Sequence, residues 1–247
     1  MKARRLWEAL GIGSVDDLEA ILSSGRVEEL EGFGKKSVEK IARAIREFRG
    51  RQGRFLLSDA DALVGPLVRY LEGAPGVVRV EPAGRYRRRW ETVGEVDLLV
   101  LCDEGRQTVM DRFTSYPGVA RVDAAGETRS RVVLRTGLPV ELRIVPAECF
   151  GAALHCFTGS EDYTMAIRTL GARWGLWISE YGVFCGEAGG DMGEDGLPSG
   201  ERLGGAEEAD IFRAVGLPWI PPELRENRGE IEAARTGRMP RLLTLGD

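Results

Sequence analysis

Glu95 and Asp97 stand two residues apart at the head of an apolar run, Val96–Leu101. Further on, Glu141 and Arg143 alternate with Val140, Leu142 and Ile144. Residues two apart in a strand face the same side, so each run would bury its apolar residues and project its charges together. If the two strands are neighbours, three carboxylates converge. Such a cluster repels itself unless cations sit in it, and oxygen ligands at that density suit magnesium or manganese. Two such ions about 3.5–4 Å apart can clamp the attacking and leaving oxygens of a phosphoryl transfer. Just before Glu95 the chain runs Gly84-Arg85-Tyr86-Arg87-Arg88-Arg89. A turn there would meet phosphate charge through N–H groups and guanidinium forks. Taken alone, the same residues also describe an exposed basic strand end beside solvated acids.

A second constellation lies near the N-terminus, in Leu30-Glu31-Gly32-Phe33-Gly34-Lys35-Lys36-Ser37-Val38. Two glycines around one apolar residue allow a tight turn with positive φ. Such a turn points backbone N–H groups outward at a helix N-terminus, where phosphate binds without regard to base. Lys35 and Lys36 would add charge, and Ser37 could contact phosphate or cap the helix. A plain helix-to-helix turn with solvated lysines is the alternative.

The elements that must position these groups fall into three regions. Residues 1–54 read as short helices, with Leu6, Leu10, Leu18, Ile21 and Leu22 on one stripe, Ser14 as an N-cap, and Val38, Ile41, Ile45 and Phe48 inward on a later helix. Gly50-Arg51-Gln52-Gly53 reads as a linker. Residues 55–146 form a mixed α/β block. Helices are expected at 58–72 and 106–116, and strands at Val77–Val80, Val96–Leu101, Val119–Asp123, Arg131–Leu134 and Val140–Val145. Residues 147–247 open with helices near Glu148–Phe157 and Ser160–Trp174. A hairpin of Leu176–Ile178 with Gly182–Phe184 follows, then a Gly-rich acidic stretch, Gly186–Gly205, that reads as a mobile loop. The fold class expected is α+β.

Composition narrows the chemistry. A chain of 247 residues with a 43% hydrophobic fraction supports a soluble globular protein. No targeting or membrane segment is read, and four scattered cysteines suit reduced thiols in the cytoplasm. His155 is the only histidine, which rules out His-pair mechanisms and a histidine-rich metal site. On its mostly apolar helix it reads as a packed side chain. Net charge is −5, mildly against nucleic acid. The acidity is local, because Gly186–Asp210 holds eight acids and one base while residues 1–54 hold twelve bases and nine acids. Trp174, Trp177 and Trp219 read as core or hinge packing, and the acids near Asp191–Asp195 as solvated.

The ordered motifs LEGFGKKSVEKI, GRYRRRWETVGEVDLLV, VELRIVP, FGAALHCFTGS, ISEYGVF and GLPWIPPELRENRGEIEAA resemble those of the bacterial family X DNA polymerases. These are nucleotidyltransferases that fill short DNA gaps. The resemblance spans nearly the whole chain. It implies a helix-hairpin-helix fingers-side domain (1–54), a nucleotidyltransferase palm with a mixed sheet (55–146) and a small α/β thumb (147–247). It implies Mg2+ or Mn2+ held by Glu95, Asp97 and Glu141. A nucleoside triphosphate would be held by Gly84, Arg85, Arg88 and Gly94, with Phe157 and Gly159 along the sugar. Gapped or primer-template DNA would be gripped by Gly32, Phe33, Gly34, Lys35, Lys36 and Ser37, with Arg168 at the template. Arg143 would exchange Asp97 for Glu180 or Tyr181 as the thumb closes, in a monomer. Relative to longer members, an N-terminal lyase-type domain and a C-terminal PHP phosphoesterase domain are not expected.

This sequence departs from the family pattern at catalytic positions. Glu95 and Glu141 replace aspartates, Arg85 replaces a small phosphate-binding serine, Cys156 replaces an aromatic, and Thr164 an asparagine. Each longer carboxylate can displace a ligand oxygen by more than about 1 Å, where metal spacing is tight. Three functions therefore stand open. One is active nucleotidyl transfer to a primer 3′-hydroxyl. Another is a catalytically silent DNA-binding module in which Arg85 pairs with Glu95 or Glu141. The third is a transferase with an altered substrate.

Overall fold

The computed structural model describes residues 9–12, 15–23, 27, 30, 33–34, 37–42, 53–186 and 200–242. The chain divides into two compact units, Met1–Arg54 and Phe55–Asp247. In the first, helix α1 spans Val15–Ser23, and residues 37–42 are helical. Val27 and Phe33 are buried there, packed by Leu10, Ile12, Leu18, Ile21, Leu22, Leu30, Val38 and Ile41. The expected inward positions Leu6, Ile45 and Phe48, the cap Ser14, and Gly32, Lys35 and Lys36 lie outside the described residues.

The second unit is built on a five-stranded mixed sheet of β2 (Val77–Pro82), β4 (Val96–Cys102), β5 (Val119–Ala124), β6 (Arg129–Leu134) and β7 (Pro139–Ile144). Its spatial order is β2-β4-β7-β6-β5, and β4 runs parallel to β7 while the other pairs are antiparallel. A short ribbon joins β1 (Phe55–Leu56) to β3 (Thr92–Val93). The period-two pattern sorts the faces. Val96, Leu98, Val100, Val132, Leu134, Val140, Leu142 and Ile144 are buried with Ala60, Val64, Leu67 and Leu71 of helix α2 (Leu57–Glu72). Val109, Met110 and Phe113 join them from helix α4 (Arg106–Thr114), after the one-turn helix α3 (Gly84–Arg87). The opposite face carries Asp97, Glu141 and their charged neighbours.

After β7 the chain enters helices α5 (Phe150–Thr158) and α6 (Glu161–Ala172), the latter capped by Ser160 Oγ accepting from Tyr163 N–H at 3.3 Å. A three-stranded sheet follows, ordered β10 (Arg202–Gly204), β9 (Gly182–Cys185), β8 (Leu176–Ser179). Helices α7 (Glu208–Ala214) and α8 (Glu230–Arg235) close the core around Tyr163, Ile167, Ile178, Val183, Ile211 and Phe212. The hairpin falls where the alternation placed it. Strand β10 does not: Gly182 and Gly205 let the backbones approach, so a glycine-rich end of the acidic stretch pairs as a strand. The middle of that stretch, residues 187–199, lies outside the described residues. Trp174 and Trp219 are exposed at 58% and 49%, which corrects the core reading for both.

The five-stranded sheet and the C-terminal region are tied by buried charge. The Arg87 guanidinium donates to Glu208 Oε1 and Oε2 at 2.7 and 2.9 Å and to Thr158 Oγ1 at 2.7 Å. Arg225, fully buried, donates to Glu208 Oε1 at 2.5 Å and to the Ile220 carbonyl at 2.9 Å. Burial alone would raise the Glu208 carboxyl, but the bonds from Arg87 and Arg225 outweigh it and hold it far below the usual range. Removing one member of such a network leaves a buried charge without its counter-charge. Glu208→Gln is therefore expected to cost about 3–5 kcal/mol in urea unfolding, and a cost below about 1 kcal/mol contradicts the network. Because the folded pKa is depressed, this stabilisation is present above the ordinary glutamate range and is lost as pH falls below about 4.5 toward the folded value.

Candidate functional site

Register brings the predicted acids together. Asp97 on β4 is paired with Glu141 on β7, and Glu141 is paired with Arg131 on β6. Residues opposite one another in a ladder share a face, so Asp97, Glu141 and Arg131 form a row across three strands. Glu95, two residues before Asp97, stands at the mouth of the same face. The turn of arginines is anchored here as well, since Ala83 N–H donates to the Asp97 carbonyl at 2.8 Å. Gly84 follows with φ +63°, and a Cβ at that position would lie 2.8 Å from Asp97 Oδ2. A glycine is required there both for the backbone angle and for the close approach.

The charges around the row do not leave it open. Arg143 Nη2 lies 2.5 Å from Glu141 Oε1, and Arg129 Nη2 donates to Glu141 Oε2 at 2.8 Å. Arg131 reaches Glu95 Oε2 with Nη2 at 3.0 Å and Glu141 Oε2 with Nη1 at 3.8 Å. Burial would raise the Glu141 carboxyl. The hydrogen bond from Arg129 and the charges of Arg143, Arg129 and Arg131 outweigh it and hold Glu141 below the usual carboxylate range. Asp97 takes the opposite course. Burial, then the charges of Glu95 and Glu141, push it up to about 6 against the lowering pull of Arg143 and Arg131.

These residues do not fit a pair of divalent cations as they stand. Among the described residues, no three His, Cys, Asp or Glu side chains are grouped to hold an ion. Glu141 has both oxygens engaged by guanidinium groups, and Glu95 is drawn toward Arg131. The donor chemistry is right, but the neutralising charge is already supplied by the chain.

The other predicted site residues are placed as follows. Arg88 is buried and engaged within the fold: Nε donates to Glu226 Oε1 at 2.6 Å and Nη1 to the Thr158 carbonyl at 2.5 Å. Trp90 Nε1 donates to the same Glu226 oxygen at 2.5 Å. Gly159, at φ +71°, has room for no side chain without meeting Arg88 Nη1, 3.1 Å from an added Cβ. Arg85 is exposed with its guanidinium 5.1 Å above the Trp90 ring, so the expected pairing of Arg85 with Glu95 or Glu141 is not what neutralises the acids. Gly94 lies in the turn entering β4. Phe157 stacks under the Arg143 guanidinium at 4.5 Å. A cavity of about 290 Å³ opens behind Arg143, bounded by Arg129, Phe157, Glu180 and Tyr181 among others. Arg143 thus sits on Glu141 rather than on Asp97, with Glu180 and Tyr181 across the cavity. Arg168 lies 3.6 Å from Glu180 and donates to Cys156 Sγ at 3.2 Å. His155 is buried, and burial pushes its pKa down to about 3, so it is a neutral packed ring. Phe33 is 1% exposed, a core residue of its unit, so its side chain offers no surface for DNA. In the same unit Ser37 N–H donates to the Gly34 carbonyl at 2.7 Å.

Sequence reasoning missed Arg129, Arg131, Glu208, Arg225 and Glu226. The Arg129-Ser130-Arg131-Val132 alternation carried a signal, because a strand with that pattern aims both arginines to one face.

Comparisons with known proteins agree with this architecture. Residues 153–226 match the family model for the DNA polymerase beta thumb. The DNA polymerase/3′-5′ exonuclease PolX of Bacillus subtilis is 31% identical over 233 residues, covering 94% of this chain and 39% of the relative. DNA polymerase lambda of Rattus norvegicus is 23% identical over 250 residues, covering 91% of this chain and 40% of the relative. The chain thus spans about two fifths of these curated relatives. Leishmania infantum polymerase beta in a ternary P/T complex superposes with a TM-score of 0.62 at 19% identity, over 91% of this chain and 92% of that one. Its ternary gap complex gives 0.61 at 18% identity, over 90% and 84% of the two chains. The fold is polymerase beta-like, an α+β arrangement on a mixed sheet. Along 94% of its length the chain is similar to PolX, and residues 153–226 carry the match to the polymerase beta thumb.

Asp97 gives a test of the row's electrostatics. A carboxyl whose pKa is raised on folding costs stability above that pKa, and the cost fades as pH falls through it. Asp97→Asn is expected to raise unfolding stability at pH 8 by about 1–3 kcal/mol. The gain should shrink through pH 6 and vanish near pH 4, close to the ordinary aspartate value. A loss of stability at pH 8 contradicts the repulsion inferred here.

Proposed function

We propose that this chain is a DNA-binding module of the family X polymerase-like fold that engages gapped or primer-template DNA without catalysing nucleotide addition. The observation that carries the reading is the engagement of both Glu141 oxygens and one Glu95 oxygen by Arg143, Arg129 and Arg131, at 2.5, 2.8 and 3.0 Å. A site already neutral has little attraction left for dications. The tie between Arg88 and Glu226 likewise takes a fork away from an incoming triphosphate.

DNA as partner is supported by kinship with PolX and by the gap and P/T complexes of the structural neighbours. In residues 1–54 a helix-hairpin-helix grip is proposed at Gly32, Gly34, Lys35, Lys36 and Ser37. Its backbone N–H groups and the two ammonium groups would take phosphate oxygens, while Phe33 holds the turn from inside. Arg168 would face the duplex from the thumb. No helix among the described residues is long and apolar enough to cross a membrane.

Gap-filling nucleotidyl transfer from a deoxynucleoside triphosphate keeps one observation in its favour. Among the described residues no arginine donates to Asp97, which feels Arg143 and Arg131 only through their charge. In that reading Glu95, Asp97 and Glu141 would hold Mg2+ or Mn2+, and the metals would lower the pKa of the primer hydroxyl.

Fluorescence anisotropy on gapped DNA, run beside primer extension with Mg2+ or Mn2+, separates the two. Binding should weaken steeply with salt, by a slope of about 0.7–0.9 per phosphate contact. Lys35→Glu with Lys36→Glu should lower affinity at least about tenfold, a loss of about 1.4 kcal/mol. No incorporation is expected. Incorporation that disappears in Asp97→Ala establishes the transferase instead, and absence of any preference for gapped DNA over duplex rejects the proposed partner.

A further inference from the structure

We infer that Arg131 is the resident cation of the palm: a single guanidinium that spans Glu95 and Glu141 and thereby sets the site against divalent ions. The inference deepens the proposed non-catalytic reading and rests on it. Arg131 is the one side chain of the three whose fork addresses two of the acids, Glu95 at 3.0 Å and Glu141 at 3.8 Å. Its place is fixed by the fold, because the β6–β7 ladder sets it directly opposite Glu141, itself directly opposite Asp97. Arg129 and Arg143 are paired with each other two residues along the ladder, Arg143 on Glu141 Oε1 and Arg129 on Oε2.

The charge balance follows from the residue types. Glu95, Asp97 and Glu141 bring three negative charges when ionised, and Arg129, Arg131 and Arg143 bring three positive ones. A guanidinium does not lose its proton in proteins, so no accessible pH removes the resident charge. Two dications added beside it would meet three fixed positive charges at contact range, and at least the guanidinium between the glutamates would have to leave. Arg129 is 59% exposed and can swing into solvent, and Arg143 has the Phe157 ring to rest on. Arg131 has Glu95 on one branch and Glu141 on the other, so leaving breaks both contacts together. The longer glutamate side chains suit this arrangement. Glu141 meets Arg131 from the adjacent strand, while Glu95 meets it from beyond β7, two strands away from β6.

The test is manganese binding by the full chain, read from the electron paramagnetic resonance of free Mn2+, which does not require activity. The wild-type protein should bind Mn2+ no more tightly than the Asp97→Asn variant. Arg131→Ser should bind it at least about tenfold more tightly, and Arg131→Ser combined with Asp97→Asn should lose that gain. Arg131→Gln, which keeps the bulk and removes the charge, should gain in the same direction and serves if the serine variant unfolds. Asp97-dependent Mn2+ binding by the wild type, or unchanged affinity in both Arg131 variants, overturns the inference. Failure of the DNA-binding reading would appear separately, as lost affinity for gapped DNA with the manganese pattern intact.

Discussion

Everything at the centre of this molecule depends on how three carboxylates on one face of a twisted mixed sheet are neutralised. Like charges brought into a half-buried site repel, and the repulsion must be met by a counter-charge or by protonation. Here both occur. Glu141 is held ionised by guanidinium groups, and Asp97, without such a bond, is pushed up to about 6 by burial and by its two acidic neighbours. Arginine charge and the raised Asp97 carboxyl thus balance the row within the chain.

The same economy extends to the arginine-rich turn. Four of its residues carry guanidinium groups, yet each is used differently. Arg87 and Arg88 point inward to Glu208 and Glu226 and link the sheet to the C-terminal helices. Arg85 stacks on Trp90, and Arg89 pairs with Asp61 at 3.0 Å. A cluster that suggests one phosphate site thus also serves as the mechanical joint of the second unit. The joint and the carboxylate row are contiguous, because Ala83 and Gly84 rest on Asp97.

Much of this was legible in the sequence, and the reason is periodicity. Glu95 and Asp97, and then Glu141 and Arg143, fall at alternate positions beside apolar residues, so the charged face of β4 and β7 and the convergence of Glu95, Asp97 and Glu141 followed from strand geometry once the two were neighbours. The helix Leu57–Glu72 and the hairpin of β8 and β9 were readable for the same reason. The counter-charges were not. Arg131 meets Glu95 across 36 positions and Arg88 meets Glu226 across 138, and no local pattern encodes either pairing. One of the readings open from the sequence paired Arg85 with Glu95 or Glu141, whereas Arg85 stacks on Trp90. The sheet instead brings in β6, whose register against β7 decides the partner. Likewise nothing local sets Glu208 apart from the other acids of Gly186–Asp210, although its burial between Arg87 and Arg225 makes it a structural anion.

Diffraction from crystals of the full chain with gapped DNA and Mn2+, recorded for manganese anomalous scattering, tests the central claim most directly. The account predicts no anomalous peak beside Glu141, with the Arg131 guanidinium lying between Glu95 and Glu141. Two peaks about 3.5–4 Å apart, bound by Glu95, Asp97 and Glu141 with Arg131 turned away, would contradict it.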